Sequence, residues 1–224
     1  MGQVETNSHV VPLQGGATLR FVVPNSAREI EPDKLPTFEV SGLPGARVSL
    51  RSGYFDAVGT SVHLACVEAP SDRWAPGMEE IVFSMANGLG HRAMSGRMAI
   101  ESWDAGSIVS KDERFDQQLS GKAKREQTTV KLLGRHVLGF EGAKKDVVLC
   151  SVICDGNEGR EQDTCSTIVN GAALDGLVAA PSPSLLVQAV FFTAEKPVQA
   201  ACVVGILGML IVGLVLAKRP RPKP

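Results

Sequence analysis

Residues 198–217 read VQAACVVGILGMLIVGLVLA, and from Ala200 to Ala217 no side chain is charged or strongly polar. At 1.5 Å per residue such a run spans roughly 27–30 Å, about the hydrocarbon thickness of a bilayer. Lipid offers the backbone no hydrogen-bond partners, so the segment is predicted to be a single transmembrane helix. The competing reading is a buried core helix, which needs apolar neighbours on every side. A chain of 224 residues does not enclose one. Ala201, Gly205, Gly213 and Ala217 form two small-xxx-small pairs, a spacing that lets two helix backbones approach closely. A homodimer through the span is the expectation they raise, set against the ordinary abundance of Gly and Ala in membrane helices. Cys202 reads as a small apolar filler of the same helix.

Topology is pulled two ways. The tail KRPRPKP (218–224) carries four cations, against one, Lys196, just before the span. The positive-inside rule then places the tail in the cytoplasm and the preceding residues outside. The opening MGQVETNSHVVPLQGG lacks the apolar stretch of a secretory signal, which argues for the reverse. The sequence reading prefers a tail-anchored protein of a bacterial inner membrane, its domain facing the cytoplasm, with the opposite topology left open. Residues 185–193, LLVQAVFFT, are too few to span as the first limb of a hairpin. Met1-Gly2-Gln3-Val4-Glu5-Thr6 fits a loose myristoylation pattern, but the Gly-, Ala-, Val- and Arg-rich, Tyr-poor composition points to a GC-rich bacterial genome, where the match has no meaning.

The formal net charge is −1. Setting aside Lys218, Arg219, Arg221 and Lys223 leaves 19 cations against 24 anions, a net of −5 for the remainder. A mildly acidic body gains nothing from counterion release on phosphate backbones, so nucleic acid is excluded as a partner class. Lys122, Lys124 and Arg125 follow the mixed run Lys111–Arg114 and read as a solvated loop face.

Residues 1–16 look like a flexible polar leader, residues 17–183 a soluble domain, and 184–197 a juxtamembrane helix capped by Ser184. Leu19, Phe21 and Val23 alternate along a strand at Ala17–Val23, ended by Pro24-Asn25-Ser26. Gly45–Arg51 alternates as a half-exposed strand, and Ser61–Glu68 is apolar enough for a central one. Ser71 or Asp72 is predicted to cap a helix with Pro76 in its first turn. Trp74, Met78, Ile81, Val82, Met85 and Leu89 make its apolar stripe, and Asn87-Gly88-Leu89-Gly90 its stop. Strands at Met98–Trp103, Gln127–Leu133, Arg135–Phe140 and Asp146–Ile153 suggest a meander of antiparallel hairpins, Gly134 dividing the second from the third. A second helix is predicted from Asp163 to about Leu174. The class is therefore α+β: a mainly antiparallel sheet packed with two or three helices, plus one C-terminal transmembrane helix.

Four of the five cysteines precede the span: Cys66, Cys150, Cys154 and Cys165. Three readings are open. They are buried reduced thiols, or they form disulfides, with Cys154–Cys165 bracketing a turn-rich loop and Cys66–Cys150 on neighbouring strands. The third is half a zinc site at Cys150-Ser-Val-Ile-Cys154, weakened because those residues stand roughly 13 Å apart on an extended strand. Disulfides would favour the outside topology, because cytosolic thiols stay reduced. Asp155-Gly156-Asn157-Glu158-Gly159 lacks the register of a calcium loop and reads as an exposed acidic turn. His9, His63, His91 and His136 have no partner at catalytic spacing, and no nucleophile-elbow, zincin or phosphate-loop motif occurs. No cofactor is expected. The leading function is a non-catalytic, membrane-tethered interaction domain for an unidentified protein. The runners-up are a thiol enzyme using Cys66 or Cys154 and an extracytoplasmic, disulfide-stabilised sensor domain.

Overall fold

Strand β1 (Thr6–Pro12) and strand β2 (Thr18–Pro24) pair as an antiparallel hairpin, so the segment expected to be a loose leader is ordered from Thr6. Its polar composition hid this. Only Val11 and the His9 ring turn toward the core, His9 stacking on Phe21 at 5.3 Å, while Val10 stays exposed. The structure, a computed structural model, describes residues 5–35, 45–56, 59–72, 74–75, 77–111, 113–157 and 160–181, with 160–162 described by backbone alone. The chain divides into two units, Met1–Pro181 and Ser182–Pro224, and only the first lies within these residues. The predicted juxtamembrane helix, the span 198–217 with Ala201, Gly205, Gly213 and Ala217, and the basic tail lie outside them. Among the described residues no helix is long and apolar enough to cross a membrane.

The next strands are β3 (Arg28–Glu29), β4 (Arg47–Phe55) and β5 (Ser61–Ala69), followed by helix α1 (Met78–Ser95). Then come β6 (Ala99–Ala105), β7 (Val109–Lys111), β8 (Arg114–Arg125), β9 (Thr128–Glu141) and β10 (Asp146–Gly156). Helix α2 (Arg160–Gly171) and β11 (Ala173–Asp175) close the described fold. A large sheet runs β3-β4-β5-β10-β9-β8-β6, with β7 also on β8, and a small one runs β1-β2-β11. Every strand pairing is antiparallel. The architecture is α+β, a large antiparallel sheet with two helices.

The pleat sorts side chains to two faces. Val62, Leu64 and Cys66 of β5 and Val148, Cys150 and Val152 of β10 share a core with Leu19, Phe21, Ile168 and Val169, from the small sheet and α2. The alternate residues of β10, Val147, Leu149 and Ile153, face α1. Phe21, Phe83 and Phe140 are fully buried, each contributing on the order of 1.5–3 kcal/mol.

Four predicted boundaries move. Helix α1 starts after Gly77 rather than at Ser71 or Asp72, and the Gly77 N–H donates to Glu79 Oε2 at 2.9 Å. It also runs past the expected stop to Ser95. Gly90 faces the sheet, where a Cβ would sit 3.1 Å from Ile153 Cδ1 and 3.3 Å from Trp103 Cζ2. The glycine serves close helix–sheet approach, and packing of Met94 extends the helix beyond it. Ile81, placed in the stripe, points to solvent. Gly134 likewise does not divide strands: it lies inside β9, close under Leu119 and the Val152 carbonyl. The cluster Lys122, Lys124 and Arg125, read as a loop face, belongs to strand β8. The strand's buried residues are Gln117, Leu119 and Ala123, with Leu119 alone a large aliphatic, too few to signal a strand, while Lys122 and Lys124 face solvent. The second helix ends at Gly171, and Ala173–Asp175 pairs with β2 instead of extending it.

Candidate functional site

Cys66 and Cys150 are directly opposite each other on β5 and β10, both pointing into the α2 face, and they form a disulfide with Cα atoms 4.1 Å apart. Cys154 leaves the same face of β10 four residues, two pleat repeats, later and is bonded to Cys165 of α2, Cα–Cα 5.4 Å. All four sulfurs sit in one core, at most 1% exposed. Cys150 and Cys154 thus have separate partners and are not two ligands of one metal. Neither Cys66 nor Cys154 is left as a thiolate nucleophile. Among the described residues, no group of three or more His, Cys, Asp or Glu is arranged to hold a metal ion. Disulfides persist in oxidising compartments. They weigh against the cytosol-facing topology and agree with the side that the basic tail implies.

The titratable groups missed in the sequence lie on the opposite face, beneath α1. Asp155 is not in an exposed turn: it ends β10 with its side chain wholly buried. The Ser61 hydroxyl donates to Asp155 Oδ1, and Arg125 Nη1 donates to Oδ2 at 2.9 Å. Burial pushes the Asp155 carboxyl above the usual carboxylate range, against the pull of Ser61, Arg125 and Arg97. His63, two residues along β5, does have partners. Arg97 Nη1 donates to its Nε2 at 3.1 Å, and Ser61 Oγ is 3.5 Å from the same nitrogen. Burial, helped by the Arg97 charge, lowers the His63 pKa to about 3.

Ser61, His63 and Asp155 have the composition of a hydrolytic triad and the wrong wiring. The serine proton goes to the acid rather than to the imidazole, and the imidazole lone pair is occupied by Arg97. All three are at most 4% exposed, so no substrate carbonyl reaches Ser61. The group is a buried polar brace tying β5, β8 and β10.

A second brace holds α1 down. His136 Nδ1 and Ser151 Oγ are 2.7 Å apart, His136 Nε2 and Asn87 Oδ1 3.1 Å, and Asn87 Nδ2 donates to Gln117 Oε1 at 3.0 Å. Desolvation lowers the His136 pKa to about 4. Of the remaining histidines, His9 belongs to the Phe21–Tyr54 ring cluster and His91 packs edge-on to Trp103. On the other face Arg135 clamps Asp116 through Nε at 2.8 Å and donates from Nη1 to the Ala172 carbonyl, joining the sheet to the end of α2. The signal available in the sequence was a polar residue inside an apolar run, as in Ile153-Cys154-Asp155. Its partner was 94 residues away.

The third cluster concerns the β1–β2 loop. Glu68 and Glu141, both buried, point from the large sheet at the loop backbone. Glu141 Oε2 accepts the Ala17 N–H at 2.9 Å, and Glu68 Oε1 accepts the Gln14 N–H at 3.3 Å. Arg47 covers Glu68, with Nη2 2.7 Å from Oε2.

No family model and no curated protein matches this chain. Among solved structures, it is similar to LpqN, a Mycobacterium tuberculosis protein involved in cell envelope biogenesis. That match has 12% identity and a TM-score of 0.43, over 76% of this chain and 91% of the other. It is also similar to the Saccharomyces cerevisiae Ran-binding protein Mog1p, with 14% identity and a TM-score of 0.38, over 75% of this chain and 96% of that one. Neither likeness says anything of the ligand or activity of this chain.

Proposed function

We propose that the chain is a disulfide-stabilised binding or sensor domain held on the outer side of a bacterial inner membrane by the helix 198–217. The carrying observation is the pair of core disulfides, which belong to an oxidising compartment. The basic tail supports the same orientation, leaving four cations on the cytoplasmic side. Catalysis is disfavoured by the wiring of the polar clusters: Ser61, His63, Asp155 and His136 are buried and bonded to one another or to neighbouring side chains, and four of the five cysteines are paired. A tether raises the effective concentration of the domain toward other membrane components, which suits recognition of a protein partner. Ala201, Gly205, Gly213 and Ala217 are the proposed self-association face of the span, and Gly205→Leu should lower the yield of crosslinked dimer.

The test is alkylation of intact cells with a thiol reagent before lysis, followed by mass measurement of the full chain. Two disulfides leave Cys202 as the only cysteine open to modification. Four further alkylated cysteines would place the domain in a reducing compartment and refute the reading.

A further inference from the structure

The β1–β2 loop, Leu13–Ala17, is held to the large sheet by a carboxyl group with an incomplete hydrogen-bond complement. Glu141 is 1% exposed, and Oε2 takes the Ala17 N–H while Oε1 has no partner among the described residues. The loop lies directly on this group: a Cβ at Gly15 would fall inside the Glu141 carboxyl, and one at Gly142 would stand 2.8 Å from the Gly15 carbonyl oxygen. No side chain fits between the loop and the carboxyl.

The charged groups facing Glu141 are Glu68 from β5, Asp146 from β10 and Arg47 from β4. Two of the three are acids, and the guanidinium of Arg47 is committed to Glu68. A neutral Glu141 leaves one O–H unpaired in the interior, a modest cost. An ionised one leaves a full charge beside two like charges with a single N–H donor, a much larger cost. Opening the loop would admit water and remove that penalty.

We propose that Glu141 is a proton-operated latch of the β1–β2 hairpin: its neutral carboxyl clamps the Leu13–Ala17 loop on the large sheet, and its ionisation releases it. Desolvation raises the Glu141 pKa, with Glu68 and Asp146 adding to the rise and the Ala17 N–H and Arg47 opposing it. The sign follows. A carboxyl with a raised folded-state pKa contributes stability in full below its unfolded value, and loses it as pH climbs through the folded value. The latch is therefore closed in acid and opens toward higher pH. It does not depend on the topology or on the binding role proposed above.

Amide hydrogen exchange on the intact chain in detergent tests this, with rates normalised to intrinsic exchange at each pH. In the wild type, protection of Ala17 and of the β1–β2 amides should fall by up to about tenfold per pH unit between the ordinary glutamate value of the opened loop and the raised value of the closed one, and level off above it. Those amides should open ahead of the β9 and β10 amides. Glu141→Gln keeps the acceptor for Ala17 and cannot ionise, so its hairpin protection should stay flat over the same range. A wild-type profile without that slope, or a Glu141→Gln profile that reproduces it, overturns the proposal. So does a single opening free energy shared by hairpin and core. Should Glu141→Gln fail to fold, carboxyl carbon NMR of the wild type decides the matter: a Glu141 titration at the ordinary glutamate position contradicts the latch.

Discussion

Replacing Cys66 and Cys150 together by alanine should cost the domain more stability than replacing Cys154 and Cys165. The Cys66–Cys150 bond joins residues 84 apart in sequence, and the Cys154–Cys165 bond residues 11 apart. If a crosslink acts by restricting the unfolded chain, these separations correspond to about 4.5 and about 3 kcal/mol. All four side chains are in one core, so loss of the sulfur atoms adds a similar cavity cost at each site. Whole-domain stabilities are typically about 5–15 kcal/mol, so the long-range variant should be marginal or unfolded at 37 °C while the short-range one survives. Urea unfolding of residues 1–181 followed by far-ultraviolet circular dichroism reads the difference, with the wild type oxidised and reduced as references. Equal losses, or a loss below about 1 kcal/mol for the Cys66/Cys150 pair, would refute the chain-entropy reasoning.

Acid should act through the two buried histidines. With folded values of about 3 for His63 and about 4 for His136, both below the ordinary histidine value, each contributes stability present at neutral pH and lost as pH falls. Urea midpoints should drop between about pH 6.5 and 4, and imidazole NMR signals of both residues should show no titration above pH 5. Arg125→Met strips the strongest cationic partner from the wholly buried Asp155 and should cost about 2–4 kcal/mol, partly recovered by adding Asp155→Asn. Gly121→Ala places a Cβ 2.5 Å from the Ser102 carbonyl oxygen, so it should loosen β6 from β8 at a cost of about 1–3 kcal/mol, read as faster exchange of the β6 amides.

Much of the sheet was legible because alternation is a local property. Leu19, Phe21 and Val23 announce β2, and the run 62–67, apolar but for His63, announces a strand covered on both faces. What escaped was decided by distant residues. Gly90 and Gly134 carry the local signature of a stop, yet each is the place where another element comes too close for a side chain. Strand β8 was lost because Leu119 is the one large aliphatic at its inward positions, the others being Gln117, Gly121 and Ala123. Strand β1 was lost because its contribution to the core is a histidine ring and the single half-buried Val11. The polar clusters were illegible for the same reason: β5 meets β10 across more than eighty residues of chain, so Ser61, His63 and Asp155 are neighbours only after the sheet has formed. The cysteines were half legible. Both pairings, Cys154–Cys165 across a short loop and Cys66–Cys150 on apolar strands, stood among the sequence readings, but only the register of β5 on β10 decides between disulfides and reduced thiols.

The central claim is an extracytoplasmic domain carried on the C-terminal span, and protease shaving of intact cells tests it most directly. With a tag placed after Pro224, external protease should cut the chain between the domain and the span, release a compact disulfide-bonded body, and leave the tag intact on a small membrane-bound fragment. A tag destroyed from outside, with the domain protected until lysis, would contradict the account.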